Sequence, residues 1–527
     1  MKVLLVQSSP FVTHRSWNYL EHLGLGFLEK ALADHGFPVR VFDATWNWDD
    51  AGSVIKKAWS RREPYGLVGF SVNRSNFTAT VETIMLLRKS GFKGHVTLGG
   101  YFPTFHSEKI LRNFPEIDSI VLGHGESTLL KLCQHLREGK SYEDVPGLAF
   151  RSGQDKIQTS SNFETEAFID TLGIPVHRPR YGVARMITSR GCHWRCSFCC
   201  ISAFDRYSLK TRHLRRRLDE VLEEVDRLFH HHRVNHIWFS DMEFVGKDQT
   251  FVHDFCDNII SKGYNLTFEA DCRVDSLDEP LIEKLSRAGF TALFLGVESF
   301  VDRQTNDYHK FKKDFDKNEI FNVVSLMKKH HITPRFGFIM FDKETTEEDL
   351  MLNHQIISST VGYGALDSIA NKLAVLPGTK IEFEYLKDRE HCFQVEINEK
   401  NRHEPHLYYT QYTFKNPRIE FLYKASFQYR NKIIRLQDLF DRHLKEGTIS
   451  YGKHTAILWK IRDQFEQIFD RLLSYVKQEI QPLRLSDPLR LALDDILVTY
   501  CLQFGFSRED VQNILDEEYR NPGKPQP

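Results

Sequence analysis

The chain has 527 residues, 41% hydrophobic and 27% charged, a globular balance in a length too great for one ordinary core. Its 70 Lys and Arg nearly cancel its 71 Asp and Glu, which removes any overall charge bias towards nucleic acid or an anionic membrane. No apolar stretch approaches the roughly 20 residues of a membrane span, the run that opens MKVLLVQ is too short for a signal-peptide core, and nine cysteines at this length are not a disulfide framework. The chain therefore reads as soluble and cytoplasmic, with no membrane span and no nucleic-acid partner.

Residues 1–150 alternate short apolar runs with helical spacing. Strands are predicted at KVLLVQ from Lys2, VRVFDA from Val39, GLVGFSV from Gly66, HVTLGG from His95 and SIVLG from Ser119. Between the first two, Leu20, Leu23, Phe27, Leu28, Ala31 and Leu32 recur at helical spacing, and Gly36 follows as a stop. Parallel strands need crossover helices, so five strands separated by helices predict an α/β domain with a doubly wound, five-stranded parallel sheet. Ligands of such sheets lie beyond the carboxyl ends of the strands. The residues there are Ser8, Ser9 and Pro10, then Ser71 and Asn73, then Gly99, Gly100 and Tyr101, and finally Gly123, His124, Gly125 and Glu126. Glycines at these turns let a large ligand approach the backbone closely.

Residues 151–180 read as a linker. A second alternating series occupies residues 181–390, with strands predicted at ARMITSRG from Ala184, HIWFSD from His236, LTFEADCR from Leu266, ALFLGVES from Ala292, PRFGFIM from Pro334 and DSIANKLAVL from Asp367. Helices are predicted between them, for example over residues 278–288, and Thr345 with Glu348 fits a capping box that opens another. Six βα units predict a partial or complete (β/α) barrel, with its chemistry at the carboxyl ends of the strands. The basic run over residues 210–217 reads as a solvated face leading into a helix over 218–229. His230, His231 and His232 point in different directions on a helix and are expected in solvent. Residues 391–527 are mainly helical in pattern and rich in aromatic and basic residues; Tyr408, Tyr409, Tyr412 and Phe414 either cap the barrel and select a substrate or pack in a core.

Four of the cysteines fall within residues 192–200, in the segment SRGCHWRCSFCC after the first strand of the second series. Cys192, Cys196 and Cys199 lie in one loop, where three thiolates can hold three irons of a cubane cluster. The fourth iron is then open to chelate a substrate, as a catalytic metal keeps one position free. A structural zinc site completed by Cys200 or His193 is the alternative. A bacterial ferredoxin spacing is absent. Cys200, adjacent to Cys199, reads as a small packing residue.

Residues 192–199, with aromatic Phe198 before the last cysteine, resemble the signature of the radical S-adenosylmethionine superfamily, and the six βα units match that superfamily's partial barrel over residues 181–390. The resemblance implies a [4Fe–4S] cluster whose open iron binds the amino and carboxylate groups of S-adenosylmethionine. One electron, from a reductant such as flavodoxin or ferredoxin, then yields methionine and a 5′-deoxyadenosyl radical, which abstracts hydrogen from an unactivated carbon. It also places Phe198 near the adenine, Ser240, Asp241 and Glu243 near the methionine amino group, Arg273 on the methionine carboxylate, and Glu298 and Ser299 near the ribose. Phe341-Asp342 stand where the superfamily commonly has a glycine-proline pair.

The first 150 residues resemble the flavodoxin-like cobalamin-binding domain that often precedes such a barrel. The matching features are LGLGFLEKALADHGFPVRVFDA, the turn at Gly99-Gly100, and Gly123-His124-Gly125-Glu126 before a helix. The resemblance implies cobalamin contacts at Ser9, Pro10, Ser71, Asn73, Gly99, Gly100, Tyr101, Gly123, Gly125 and Glu126. The Asp-x-His-x-x-Gly motif that supplies a cobalt ligand elsewhere is absent, and His14 lacks that context. The chain is similar in this to cobalamin-type radical enzymes whose lower axial position is open or water-filled; a packing domain without cobalamin is the alternative. Together the resemblances imply methylation of an unactivated carbon in a small-molecule or lipid substrate. Radical ring contraction or cyclisation is the competing reaction, and a non-catalytic cobalamin or redox sensor the competing class.

Overall fold

The computed structural model of the protein describes residues 1–8, 21–44, 51–58, 65–153, 156–159, 173–180, 182–205, 213–311, 315–360, 370–445, 464, 466–476, 487–503, 506–509, 511–513 and 515. Ser9, Pro10 and His14 lie outside the described residues.

The first domain is built on β1 (Val3–Gln7), β2 (Val39–Asp43), β3 (Leu67–Ser71), β4 (His95–Gly99) and β5 (Ser119–Val121), all parallel in the order β2-β1-β3-β4-β5. Every residue of β1 is buried, as expected of a central strand covered on both faces. Crossover helices Leu23–Ala33, Phe77–Lys89 and Tyr101–Asn113 supply the cover, together with Glu126–Glu138. The sheet has seven strands rather than the five expected: β6 (Leu148–Ser152) and β7 (Lys156–Thr159) continue it antiparallel beyond β5. β6 follows helix Glu126–Glu138 but returns antiparallel, and no helix separates it from β7, so the βα spacing that marks the other strands does not mark this hairpin. The sheet thus runs on past residue 150.

The second domain holds β8 (Val183–Met186), β9 (Ser189–Gly191), β10 (His213–Arg215), β11 (His236–Phe239), β12 (Thr267–Cys272), β13 (Phe290–Glu298) and β14 (Thr333–Phe338). Five of these form a parallel sheet in the order β14-β13-β12-β11-β8, while β9 and β10 pair antiparallel apart from it. The strand expected from Ala184 through Gly191 is therefore split. The cause is Thr188, whose backbone N–H and hydroxyl both donate to the Asp241 carboxylate and leave the ladder. The sixth expected strand begins at Asp367, outside the described residues; within them a parallel bridge joins Phe341 to Lys372.

Helix Glu279–Arg287 forms as expected, with the Asp278 carboxylate capping Leu281 N–H at 2.9 Å. The capping box before helix Glu347–Thr360 is shifted by one residue. Thr346 and Asp349 exchange its bonds at 3.1 Å, while the Thr345 hydroxyl serves Asp342. The sequence TTEED fits either register, and the Asp342 contact decides it. His230, His231 and His232 are exposed, as expected. The basic run departs from a solvated face: within its described part Arg216 is buried on Glu224 at 2.7 Å, and Arg215 donates to Thr188 Oγ1 at 2.6 Å.

Helices Pro417–Lys445 and Asp487–Leu502 share one hydrophobic core with the second sheet. Tyr412 and Phe414 join that core, whereas Tyr408 enters the core of the first domain against Phe77, Phe102 and His106. Core packing is thus the observed role of these aromatics. Among the described residues no helix is long and apolar enough to cross a membrane.

Candidate active site

The carboxyl ends of the two parallel sheets face each other across a cavity of about 230 Å³. His22, Tyr101 and His124 line it from the first domain, and Arg185, Gly191 and Ser240 from the second. The cavity thus abuts the start of the cysteine loop.

On the first side the rim is made largely by turns. Gly100 has φ +107°, and a Cβ there would stand 2.6 Å from Val72 O, so only glycine fits. The next residue, Tyr101, lays its ring on Phe204 of the cysteine-side helix Ile201–Asp205, with centroids 4.2 Å apart. His22 was not among the expected site residues. Its Nδ1 accepts from Leu25 N–H at 3.2 Å, which fixes the tautomer so that Nε2 donates to Ser71 Oγ at 2.9 Å. Burial, with Arg185 nearby, lowers its pKa, and both ring nitrogens are engaged. Asn73 shapes a turn, accepting from the backbone N–H of Ser75 and Asn76. Gly123 donates its N–H to Thr104 Oγ1.

Glu126 spans the two domains. It pairs with Arg190, two residues before Cys192, at 2.5 Å, with the side chains 6% and 8% exposed. Burial alone would raise the Glu126 carboxyl, but the Arg190 guanidinium outweighs it and holds it below the usual carboxylate range. A second junction lies behind the first. His177 bonds Glu21 at 2.9 Å and Glu224 at 2.8 Å, all three side chains being buried. Burial works against its charge, but the two carboxylates prevail and push its pKa up to about 9.

On the second side, Cys192, Cys196 and Cys199 are all partly accessible and none is in a disulfide. Burial pushes the Cys192 thiol up to about 11 and Cys199 up to about 12, with neighbouring cysteines adding to the push on both. Uncompensated thiols crowded in one loop fit a site whose cations enter with proton release. Among the described residues no three His, Cys, Asp or Glu side chains are close enough to hold a single ion. A cubane takes each of three thiolates on its own iron, and three cysteines in one loop fit that arrangement. Cys200 accepts at its carbonyl from Ala203 and Phe204 N–H and starts the short helix.

The residues expected around S-adenosylmethionine divide into two groups. Arg273 lies over the Trp194 ring at 4.2 Å, approaches Cys196 Sγ at 3.7 Å, and is held by Asp275 at 2.7 Å. Glu298 ends β13 at φ +69° and pairs with buried Lys310 at 3.0 Å. Lys310 feels both Cys196 and Arg273, so these groups share one electrostatic neighbourhood. Glu243 accepts from Gly246 N–H and Ser276 Oγ beside Arg273, and burial raises its carboxyl. Phe198 sits edge-on to Tyr308 at 5.4 Å, and Ser240 lines the cavity. Asp241 and Ser299 are placed in internal networks instead: Asp241 binds Thr188 and Ser189, and Ser299 binds Gln304 and Asn353. Lys310 carried no signal in sequence, whereas Arg190 stood within the motif itself.

Residues 186–353 match the radical SAM superfamily, and residues 11–132 match the B12 binding domain. The chain is a radical SAM enzyme with a B12-binding domain. The two matches assign it S-adenosylmethionine and cobalamin as cofactors. It is 25% identical over 342 residues to the anaerobic magnesium-protoporphyrin IX monomethyl ester cyclase of Synechocystis sp., spanning 63% of this chain and 67% of the relative. It is 22% identical over 364 residues to the hopanoid C-3 methylase of Methylococcus capsulatus, spanning 66% and 67% of the two chains. The fold is similar to that of the cobalamin-dependent S-adenosylmethionine radical enzyme OxsB with aqua-cobalamin and S-adenosylmethionine bound, with a TM-score of 0.72 and 18% identity over 100% of this radical SAM chain and 82% of that one.

Proposed function

We propose that the protein transfers a methyl group to an unactivated carbon of a small-molecule or lipid substrate held in the cavity between its two sheets. The observation that carries this reading is the composition of the cavity wall, drawn from the carboxyl-end turns of both parallel sheets and adjoining the cysteine loop. When bound, the cluster supplies the electron that cleaves S-adenosylmethionine, and cobalamin supplies a methyl group.

In this reading residues 1–159 form the cobalamin domain, 160–180 the linker, 181–390 a partial (β/α)6 barrel, and 391–527 a helical substrate or cap region. Cys192, Cys196 and Cys199 hold the cluster. Arg273 and Lys310 balance negative charge at that loop, and Ser240, Glu243, Glu298 and Phe198 complete the S-adenosylmethionine site. Tyr101, Gly99, Gly100, Gly123, Gly125, Ser71 and Asn73 shape the corrinoid bed, together with Ser9 and Pro10; Glu126 fixes that bed to the cysteine loop through Arg190. His22 has both nitrogens engaged and His124 Nε2 lies 3.5 Å from the Asp205 carboxylate, so neither histidine of the rim is assigned to cobalt, and bound hydroxocobalamin is expected to give a base-off absorption spectrum. The electron comes from a flavodoxin- or ferredoxin-type reductant in the cytoplasm.

A second reading, radical cyclisation without methyl transfer, is favoured by the relative named as a cyclase. Turnover with S-adenosylmethionine carrying a deuterated methyl group separates the two. Methyl transfer predicts product heavier by the labelled methyl, with S-adenosylhomocysteine and 5′-deoxyadenosine in about equal amounts. Unlabelled product accompanied by 5′-deoxyadenosine defeats it in favour of cyclisation.

A further inference from the structure

We infer that Arg185 is the anchor for an anionic group of the substrate, a carboxylate or a phosphate, at the second-domain wall of the cavity. The inference rests on the reading that this cavity is the substrate site.

Arg185 occupies the third position of β8 between Ala184 and Met186, both fully buried in the core of the second domain. Alternation along a strand therefore turns its side chain to the opposite, inner face of the sheet, and there it lines the cavity. Five other arginines of this part of the chain each hold a carboxylate: Arg180 pairs with Asp43, Arg190 with Glu126, Arg216 with Glu224, Arg273 with Asp275, and Arg335 with Glu269. Among the described residues the Arg185 side chain has no hydrogen bond or ion pair, and its Nε is buried without an acceptor. Its nearest support is the Trp238 ring, 5.8 Å from the guanidinium carbon.

The two carboxylates that act on it from a distance are otherwise occupied. Glu21 already accepts from His177, from Arg178 N–H and from the backbone N–H of Arg185 itself. Asp271 bonds Trp238, and burial pushes its carboxyl up to about 7, so that at neutral pH it carries only part of a negative charge. Burial lowers the Arg185 pKa despite both neighbours. Arg185 is half-buried, with its Nε buried and unpartnered, so the guanidinium is partly desolvated without a compensating partner; an anion entering the cavity relieves that cost through the planar, two-pronged bonding that carboxylates and phosphates share.

The test uses the full chain, reconstituted anaerobically with its cluster and cobalamin, and three ring compounds small enough for the cavity: benzoate, phenyl phosphate and neutral benzamide. Isothermal titration should show benzoate or phenyl phosphate binding at least about tenfold more tightly than benzamide, the scale of one charge-assisted bond. Whichever anion binds better identifies the group. Arg185→Gln should lose that preference, and Arg185→Lys should recover part of it, which a folding defect would not produce. Equal binding of anions by wild type and Arg185→Gln, equal binding of benzamide and the anions, or no anion binding to wild type each overturns the inference. So does a fall in S-adenosylmethionine affinity in Arg185→Gln with the anions unaffected, since the guanidinium then serves the cosubstrate. Formation of 5′-deoxyadenosine by the same wild-type preparation tests the radical reading by itself. Its presence without anion binding overturns the anchor alone; its absence defeats the function on which the anchor rests.

Discussion

The two sheets meet the cavity with different chemistry. The first presents turns and rings: Gly100 pressed on Val72, Tyr101 tilted against Phe204, and His22 locked between Leu25 and Ser71. The second brings Arg185 and Arg190 to the wall, and in the cysteine loop that adjoins it Arg273 and Lys310 group around Cys196. One rim suits a large ligand held by shape and the other a cluster held by covalent bonds. The difference teaches that the same architectural rule, a ligand beyond the carboxyl ends of parallel strands, can be filled by two kinds of holding.

Cutting the bonded side has the largest expected effect. Replacing Cys192, Cys196 and Cys199 together with Ala should abolish the cluster signal in electron paramagnetic resonance and all 5′-deoxyadenosine formation, while Cys200→Ala leaves both. A surviving signal in the triple variant would reassign the ligands. The junction of the two sides comes next. Glu126→Gln strands the buried Arg190 charge and is expected to cost about 3–5 kcal/mol in denaturant unfolding. Much of that loss should disappear when Arg190→Met is added, and a simple sum of the two single effects would contradict a direct pair.

Gly100→Val attacks the shape-held side alone. A side chain forced to a positive φ against Val72 O is expected to cost about 1–3 kcal/mol, and the variant should lose corrinoid on gel filtration while keeping the cluster signal. Loss of both cofactors would erase the distinction between the two rims. The smallest effect is one of pH. The His177 pKa is raised to about 9 from an ordinary 6.5, so its contribution to stability is complete below pH 6.5, declines between 6.5 and 9, and is gone above 9. Unfolding free energy should fall across that window in wild type more than in His177→Gln; parallel profiles would mean the bridge is not charged.

What sequence made legible follows the same division. The cysteine loop could be read because metal chemistry demands thiolates at close spacing, and the parallel strands because burial on both faces writes them as apolar runs. The hairpin of β6 and β7 could not, since no crossover helix announces it. Nor could the break at Thr188, which depends on Asp241, 53 positions away. The ion pairs that join the domains bind partners 64 and 156 positions apart, Arg190 to Glu126 and His177 to Glu21, and distance along the chain hides them. Arg185 was concealed differently: within ARMITSRG it read as one polar position of a strand, and only its missing partner gives it meaning.

Tyr408 is 2% exposed and contributes to a core whose remaining buried members lie within residues 4–149. Its hydroxyl bonds Arg402 O, and Arg402 in turn donates to the carbonyl of Asn113. During synthesis the first domain therefore emerges with a gap in its interior, and the residue that closes it arrives about 250 positions later. At about 5–20 residues per second, that is a wait of roughly ten to fifty seconds. For that interval Phe77, Phe102 and His106 offer an unfilled aromatic surface. The last step in completing the B12-binding domain thus belongs to the far side of the radical SAM domain, so that neither half of the chain reaches its final packing before both have been made.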